Sequence, residues 1–449
     1  MKLNDIGSAQ LKVLSYVKKY IKRAYESGVN VSNSSICYFH NYGELPGSGK
    51  LKFKFYGYSY FLSYLKILLV NILSISNLKD YKILHKKSEN KYKFIIISNV
   101  NKKNFLKDGS YFDTYFQINS KKFKNTLFFL NSTDNYLPKK FDDNLIVIGR
   151  EKLGFQLHPV YFFKIFIKNI IKTRCNYKKF FHEFSFLSQL SNMISTKVSE
   201  VLQSGSFKKV ISFYEAQPYQ NSLFHNIKKN YPNIKTIGYY HTALLPLHSS
   251  LTYRPGAPDL VLISGNYQKK YLIKYLGWPK KKVKSISSFR HKKESIKNMH
   301  GYIFLPYNFV KPYEILEKLK KFFENRKIKS LNPLKIRNHP HATNSKKHLK
   351  LIQKIKILLK VYKDRFSFNK SKKESIFIGS TTSIILSLEA GINVIHICED
   401  PVLDSYNNKL WSNLEIYRIH ESAFRYRLKS NKNVIKFFDK RNNIKKYLN

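Results

Sequence analysis

Cysteine is nearly missing from this chain: three in 449 residues, Cys37, Cys175 and Cys398, far apart. They write no disulfide framework and no metal-ligand spacing, so a reducing compartment is expected. Acidic residues are scarce too. Only 28 Asp and Glu stand against 81 Lys and Arg, a formal net charge of +53. Such an excess invites a nucleic-acid reading. Yet the lysines are scattered through every segment among Asn, Ile, Tyr and Phe, with no zinc spacing and no aromatic RNA-binding pattern, so nucleic acid is not the expected partner. An anionic membrane surface or a phosphate-bearing substrate explains the charge as well.

Long apolar runs are also lacking. No uncharged stretch reaches the ~18–20 residues of a spanning helix, and Met1-Lys-Leu-Asn-Asp5 lacks the layout of a signal peptide. A cytoplasmic protein, peripheral at most on the inner membrane, is expected. Two stretches come closest to an apolar run. Tyr60–Ile75 is broken by Lys66 and Asn71. Val160–Lys172 carries Lys164, Lys168 and Lys172 among Phe and Ile. It is expected to be an amphipathic helix facing the core; the other reading lays it on a membrane with its lysines at the headgroups.

What is present is the pattern of a folded α/β protein. Hydrophobic residues make up 43% and aromatics 15%, far from a disordered composition. Strand-like segments at Phe94–Ser98, Thr126–Leu130, Leu145–Ile148, Lys209–Phe213, Lys235–Tyr240 and Leu260–Ile263 alternate with helical ones, which predicts a doubly wound parallel sheet. Ile36–His40 is a further strand candidate. Gly43-Glu-Leu-Pro-Gly-Ser-Gly-Lys50 is not a phosphate loop, because Glu44 replaces its first Gly and Leu51 the metal-holding hydroxyl. Polarity rises over residues 284–300, and the pattern then restarts with strands at Tyr302–Pro306, Leu334–Pro340, Ser375–Ile378 and Asn393–Ile397. The expected units are an N-terminal Rossmann-like domain with helical additions (1–285), a C-terminal Rossmann-like domain (300–416) and a basic helical tail (417–449).

Two constellations carry chemistry. In the second unit, Gly379-Ser-Thr-Thr-Ser383 lies between a strand and a helix that runs through Glu389 and stops at Gly391. Hydroxyls there either cap the helix or, with its free N–H groups, receive an anion such as phosphate. Arg337-Asn-His-Pro340 ends an earlier strand on the same edge. His339 there is either a turn residue or a donor to a leaving phosphate. In the first unit, Glu215 and His241 each follow a strand. A carboxylate in that position can take a hydroxyl proton, and desolvation raises its pKa. Asp142-Asp143 precedes a strand and is a poor metal site, so metal-independent chemistry is expected.

The pairing of His-Pro with Gly-Ser-Thr-Thr-Ser some 40 residues later resembles the His-Pro and Ser/Thr motifs of bacterial glycosyltransferases with the GT-B fold: the CMP-sugar sialyltransferases, polysialyltransferases and Kdo transferases of capsule and lipopolysaccharide assembly. The resemblance implies two Rossmann-like domains facing across a cleft, the N-terminal one on the acceptor side and the C-terminal one binding the nucleotide-sugar, with no cofactor beyond that nucleotide-sugar co-substrate. It implies that His339 contacts the departing phosphate and that Arg337, Pro340, Gly379, Ser380, Thr381, Thr382 and Ser383 line the donor site, with Glu389 at the donor ribose or sugar. Phe213-Tyr-Glu-Ala-Gln-Pro218, Gly238-Tyr-Tyr-His-Thr242, Pro258-Asp259 and Ser264-Gly265 are similar to surface-carbohydrate biosynthesis proteins, with Tyr219 near a usual Trp and Tyr240 at a usual Gln. The acidic base motif of the sialyltransferases is absent, which leaves Glu215 and then His241 as candidates for the base. The expected function is transfer of a sugar, from a CMP-activated acidic donor, to a surface polysaccharide or lipid-linked glycan. Alternatives are a CDP-activated polyol-phosphate transferase and a carbohydrate- or polyanion-binding protein with a decayed transferase fold.

Overall fold

The chain folds around two sheets, and the computed structural model describes residues 2–32, 72–86, 92–134, 140–150, 156–176, 180, 183–292, 300–306, 312–325, 328–330, 335–338, 346–363, 366–368, 373–429, 433–437 and 444–448. The strand expected at Ile36–His40 and the loop at Gly43–Lys50 lie outside these residues, as do His339 and Pro340.

The first sheet contains β1 (Tyr81–Lys86), β2 (Phe94–Val100), β3 (Thr126–Ser132), β4 (Leu145–Arg150), β5 (Lys209–Phe213), β6 (Lys235–Tyr240), β7 (Leu260–Ser264) and β8 (Val283–Ile286). Their spatial order is β1-β4-β3-β2-β5-β6-β7-β8. All neighbours are parallel except β1 and β4. Strands buried on both faces explain the continuous apolar runs: Ile95 and Ile97 of β2 enter one apolar cluster and Ile96 the other. From β2 the chain winds outward through β3 and β4, then returns to lay β5 on the other side of β2. That reversal opens a crevice beyond the C-terminal ends of β2 and β5, the usual ligand position in such sheets.

The second sheet contains β9 (Tyr302–Phe304), β10 (Lys335–Arg337), β11 (Glu374–Ile378), β12 (Asn393–Ile397), β13 (Leu414–His420) and β14 (Ala423–Leu428), in the order β10-β9-β11-β12-β14-β13. The first four are parallel; β14 runs antiparallel to both β12 and β13. The fold is thus α/β with two large, mainly parallel sheets, as expected.

Helices supply the cover: α1 (Leu3–Glu26), α2 (Pro159–Lys172), α3 (Phe186–Gln203), α4 (Pro218–Asn230), α5 (Asn266–Leu276), α6 (Pro312–Asn325), α7 (Lys346–Val361) and α8 (Ser383–Glu389). Among the described residues no helix is long and apolar enough to cross a membrane. One apolar cluster runs from Val261 and Tyr271 of the first sheet's layer to Phe377 and Tyr426 of the second sheet. It is pinned where Tyr406 Oη donates to the Leu244 carbonyl (3.0 Å) and Trp411 Nε1 to the Pro246 carbonyl (2.9 Å).

The tail departs from expectation. The described residues from Tyr417 form no α-helix: they complete β13 and form β14, and only a 3-10 turn at Ile444–Tyr447 follows among them. The alternation in Ala423-Phe-Arg-Tyr-Arg-Leu428 is a strand signal, because successive side chains of a strand face opposite ways. Beyond β14 the tail crosses to the first sheet: Ser288 N–H donates to the Lys436 carbonyl (2.8 Å), and Ile444, Tyr447 and Leu448 join that sheet's apolar cluster.

Candidate active site

Glu215 is placed by a tight turn at the end of β5. Ala216 sits at φ 56°, a left-handed conformation that costs a residue with a Cβ roughly 1–2 kcal/mol. Gln220 on α4 holds the turn. Its side-chain oxygen accepts the N–H groups of Glu215 (2.9 Å) and Gln217 (3.1 Å), and its amide donates to the Phe213 carbonyl (2.7 Å). Gln217 then donates from Nε2 to Glu215 Oε2 at 2.7 Å.

His241 follows β6, the adjacent strand. Its Nε2 stands 3.8 Å from Glu215 Oε1, with the imidazole 5% exposed and the carboxylate side chain 36% exposed. The carboxylate therefore opens outward and the ring lies behind it. The ring meets Tyr115 edge-on (centroids 4.6 Å apart, 73°), and Tyr115 stacks on Phe213 at 4.3 Å. Tyr115 comes from the loop after β2, across the crevice. Buried Asp113 fixes that loop: it accepts the N–H groups of Tyr115 (2.8 Å) and Phe116 (2.9 Å) and the hydroxyls of Ser98 (2.5 Å) and Tyr111 (2.9 Å).

Electrostatics separates the pair. The protein packed around Glu215 leaves its carboxylate partly exposed but strips enough water from it to raise its pKa, against the Gln217 hydrogen bond and the Arg290 charge. Burial pushes His241 well below its ordinary value, helped by the charges of Arg290 and His291. His241 is therefore neutral at pH 7, and its buried Nδ1 has no hydrogen-bond partner among the described residues. A gap of 3.8 Å is too long for a direct hydrogen bond, but an oxygen set to one side of the line joining the two groups, at about 2.8 Å from each, reaches both. A carboxylate with raised proton affinity is the better base. Burial and the Glu215 charge also push the Tyr115 hydroxyl up to about 12, so at neutral pH it is a donor.

Sequence reasoning found Glu215 and His241 but missed Tyr115, Asp113, Arg290 and His291. Arg290 and His291 follow β8 on the same edge, inside the stretch expected to be an interdomain boundary. Tyr115 sits between two-residue strands, Phe112–Asp113 and Ile118–Asn119, too short to show any periodicity.

The second sheet's edge carries the donor-side candidates. Gly379 ends β11 at φ 65°, and a Cβ there would stand 3.3 Å from Pro306 Cγ. Buried His396 holds this turn, with Nε2 2.8 Å from the Gly379 carbonyl and Nδ1 3.1 Å from Tyr426 Oη. A carbonyl only accepts, so Nε2 carries the proton and Nδ1 accepts from tyrosine. One hydroxyl caps the helix, though not that of the N-cap residue. The N-cap Thr382 makes no side-chain capping bond; instead Thr381 Oγ1 accepts from Ser383 N–H (3.3 Å) and Ser380 Oγ donates to Asp404 Oδ1 (3.3 Å). The Ser383 and Thr382 side chains are half-buried. Arg337, exposed at the end of β10, lies over the rings of Phe304 (5.6 Å) and Tyr302 (6.0 Å).

Glu389 requires a correction. It is 6% exposed, and its Oε1 accepts the backbone N–H groups of Val434 and, at 2.9 Å, Ile435. It anchors the tail rather than facing a donor ribose. The structure thus brings Glu215 and His241 together, and Gly379 through Ser383 together, on the C-terminal edges of two different sheets.

A cavity of about 650 Å³ lies elsewhere, among the chain after α1, the C-terminal end of α2, and α3 and α4; Lys172, Arg174, His225 and Lys229 are among its lining residues. The strand-end chemistry outweighs it as the candidate active site, because the carboxylate in the cavity's lining, Glu183, is held by Lys172 at 2.8 Å. Among the described residues no group of three or more His, Cys, Asp or Glu side chains could hold a metal ion.

No family model and no curated protein matches this chain. Among solved structures it is similar to the α,α-trehalose 6-phosphate synthase from Burkholderia multivorans, at 9% identity and a TM-score of 0.31, over 64% of this chain and 76% of that one. A likeness that slight carries no argument about function.

Proposed function

We propose that the chain is a glycosyltransferase of GT-B type, moving a sugar from a nucleotide-activated donor, a CMP-linked acidic sugar, onto a surface polysaccharide or lipid-linked glycan. The observation that carries this reading is the pairing of Glu215 with a neutral His241 at the topological switch point of the first sheet. The acceptor hydroxyl enters beside the pair, within hydrogen-bond reach of both groups. Its oxygen bonds to the donor's anomeric carbon as its proton passes to the Glu215 carboxylate, and the bond from that carbon to the phosphate oxygen breaks, its electron pair leaving with the nucleotide. His241 orients the acceptor through Nε2–H. The donor phosphate lies on the second sheet's edge, held by Arg337 and the turn from Gly379 through Ser383, with His339 of the His-Pro motif donating to the departing phosphate. These basic and polar groups neutralise the leaving charge without a metal.

The test is a thermal-shift panel with CMP, CDP, UDP, GDP and ADP. A ligand at about 100 times its Kd stabilises the folded state by about 2.7 kcal/mol. The expected result is selective stabilisation by CMP, lost in Arg337→Ala and His339→Ala. Preference for CDP would favour a polyol-phosphate donor. No response from folded protein would contradict the reading and favour a non-catalytic glycan-binding protein.

A further inference from the structure

The helix α2 presents its apolar stripe outward. Val160, Phe163, Ile167 and Ile171 are 83%, 59%, 55% and 70% exposed, and Leu157, just before the helix, is 63% exposed. Spaced three and four apart, they share one face. The opposite face is already satisfied: Phe162, Ile165, Phe166 and Ile170 pack against Ile75, Phe180 and Phe184. The core-facing helix expected from sequence is therefore apolar on both sides, and burial of one leaves the other in water.

Lysines border the exposed stripe. Lys164 and Lys168 fall beside it on the same exposed side and have no ion-pair partner among the described residues. Lys172 continues the row and pairs with Glu183 at 2.8 Å. The helix sequence PVYFFKIFIKNIIK contains no acidic residue. Its C-terminal end opens on the cavity that Lys172, Arg174 and Lys229 help to line, so cationic side chains continue past the stripe.

We propose that α2 is a docking helix for an anionic lipid bilayer, lying in the interface with Val160, Phe163, Ile167 and Ile171 among the acyl chains and Lys164 and Lys168 at the headgroups. Its 14 residues reach ~21 Å at 1.5 Å each, too short to span the bilayer and suited to lie along it. A second copy of the chain is the poorer occupant, since it would bring another row of lysines to the seam with no acidic residue on the helix to meet them. A phosphate-rich surface complements the row directly.

The experiment uses the full chain and vesicles of phosphatidylcholine with or without phosphatidylglycerol, in sedimentation assays at low salt and at about 0.5 M NaCl, where diffuse attraction by the net charge is screened. No donor or acceptor is present, so this test stands or falls separately from the transferase reading. The wild type is expected to bind the anionic vesicles at both salts. The triple variant Phe163→Ser, Ile167→Ser, Ile171→Ser should lose at least about ten-fold in partitioning, and Lys164→Gln with Lys168→Gln about thirty-fold at low salt. Circular dichroism checks that these exposed substitutions leave the fold intact. Phe163→Trp gives a second readout, because Trp278 and Trp411 are 2% and 1% exposed and contribute a constant background: the variant's emission should shift to the blue on anionic vesicles. Equal binding by the triple variant and the wild type, or an unshifted emission from the Phe163→Trp variant, would overturn the proposal. A dimer that the triple variant converts to monomer, with vesicle binding unchanged, would also overturn it.

Discussion

Burial decides the protonation of single residues here, and those residues hold the two candidate edges. His396 is the clearest case. It is fully buried, with its pKa pushed down to about 4 by burial against the hydrogen bond to the Gly379 carbonyl. The unfolded chain takes up this proton near pH 6.5 and the folded protein only near 4, so stability falls as pH drops through that window. The slope is about 1.4 kcal/mol per pH unit for one group. Nearby Asp404, pushed up to about 6 by burial, acts with the opposite sign. A comparison with His396→Asn therefore isolates the histidine. Denaturant unfolding at a series of pH values should show the wild type's advantage over His396→Asn shrinking from pH 6.5 to 4. A constant advantage would mean that the ring is not held neutral. Glu215 and His241 were legible as strand-end residues, since the strand limits at Phe213 and Tyr240 follow from apolar runs alone. Their separation, and Tyr115 packed on His241 and Phe213, was not, because it depends on a loop fixed by the buried carboxylate of Asp113.

At the scale of elements, the tail is the part sequence pattern described least well. The hairpin of β13 and β14 carries alternating apolar and basic residues, and the basic ones hide the strand period from a reading weighted by charge. The anchoring of the tail by Glu389 cannot be read from sequence at all, since its partners are backbone amides 45 and 46 residues away. Hydrogen bonds to a charged group are worth about 1.5–3 kcal/mol each. Glu389→Ala leaves two N–H groups without their acceptor and should cost about 3 kcal/mol in denaturant unfolding, with faster amide exchange at Val434 and Ile435. Unchanged stability and exchange would show that apolar packing alone holds the tail. The helix α2 teaches a related lesson. Its periodicity marked a helix correctly, but a stripe facing a core and a stripe facing outward share one period, and only the packing of Phe162 and Phe166 tells them apart.

For the whole molecule, a net charge of +53 draws phosphate-bearing ligands toward every face and so does not select a site. Selection comes from topology: the first sheet's order reverses at β2 and β5, and Glu215, His241 and Tyr115, each with a displaced pKa, gather beyond that reversal. The second sheet presents Arg337 and the turn at Gly379 on its own C-terminal edge, and Tyr406 and Trp411 tie its layer to the loop that follows His241. A base on one sheet and a phosphate site on the other is the division of labour the proposed transfer needs. The most direct measurement is single-turnover release of nucleotide from a nucleotide-activated sugar in the presence of glycan acceptor, comparing wild type with Glu215→Gln over a range of pH. The wild-type rate should rise with pH through an apparent pKa above the ordinary carboxylate value, since the base works deprotonated. Glu215→Gln should lose about 10²–10⁴-fold in rate while still binding nucleotide. A Glu215→Gln rate equal to the wild type's, or a wild-type rate that falls as pH rises through that range, would contradict the assignment of Glu215 as the base.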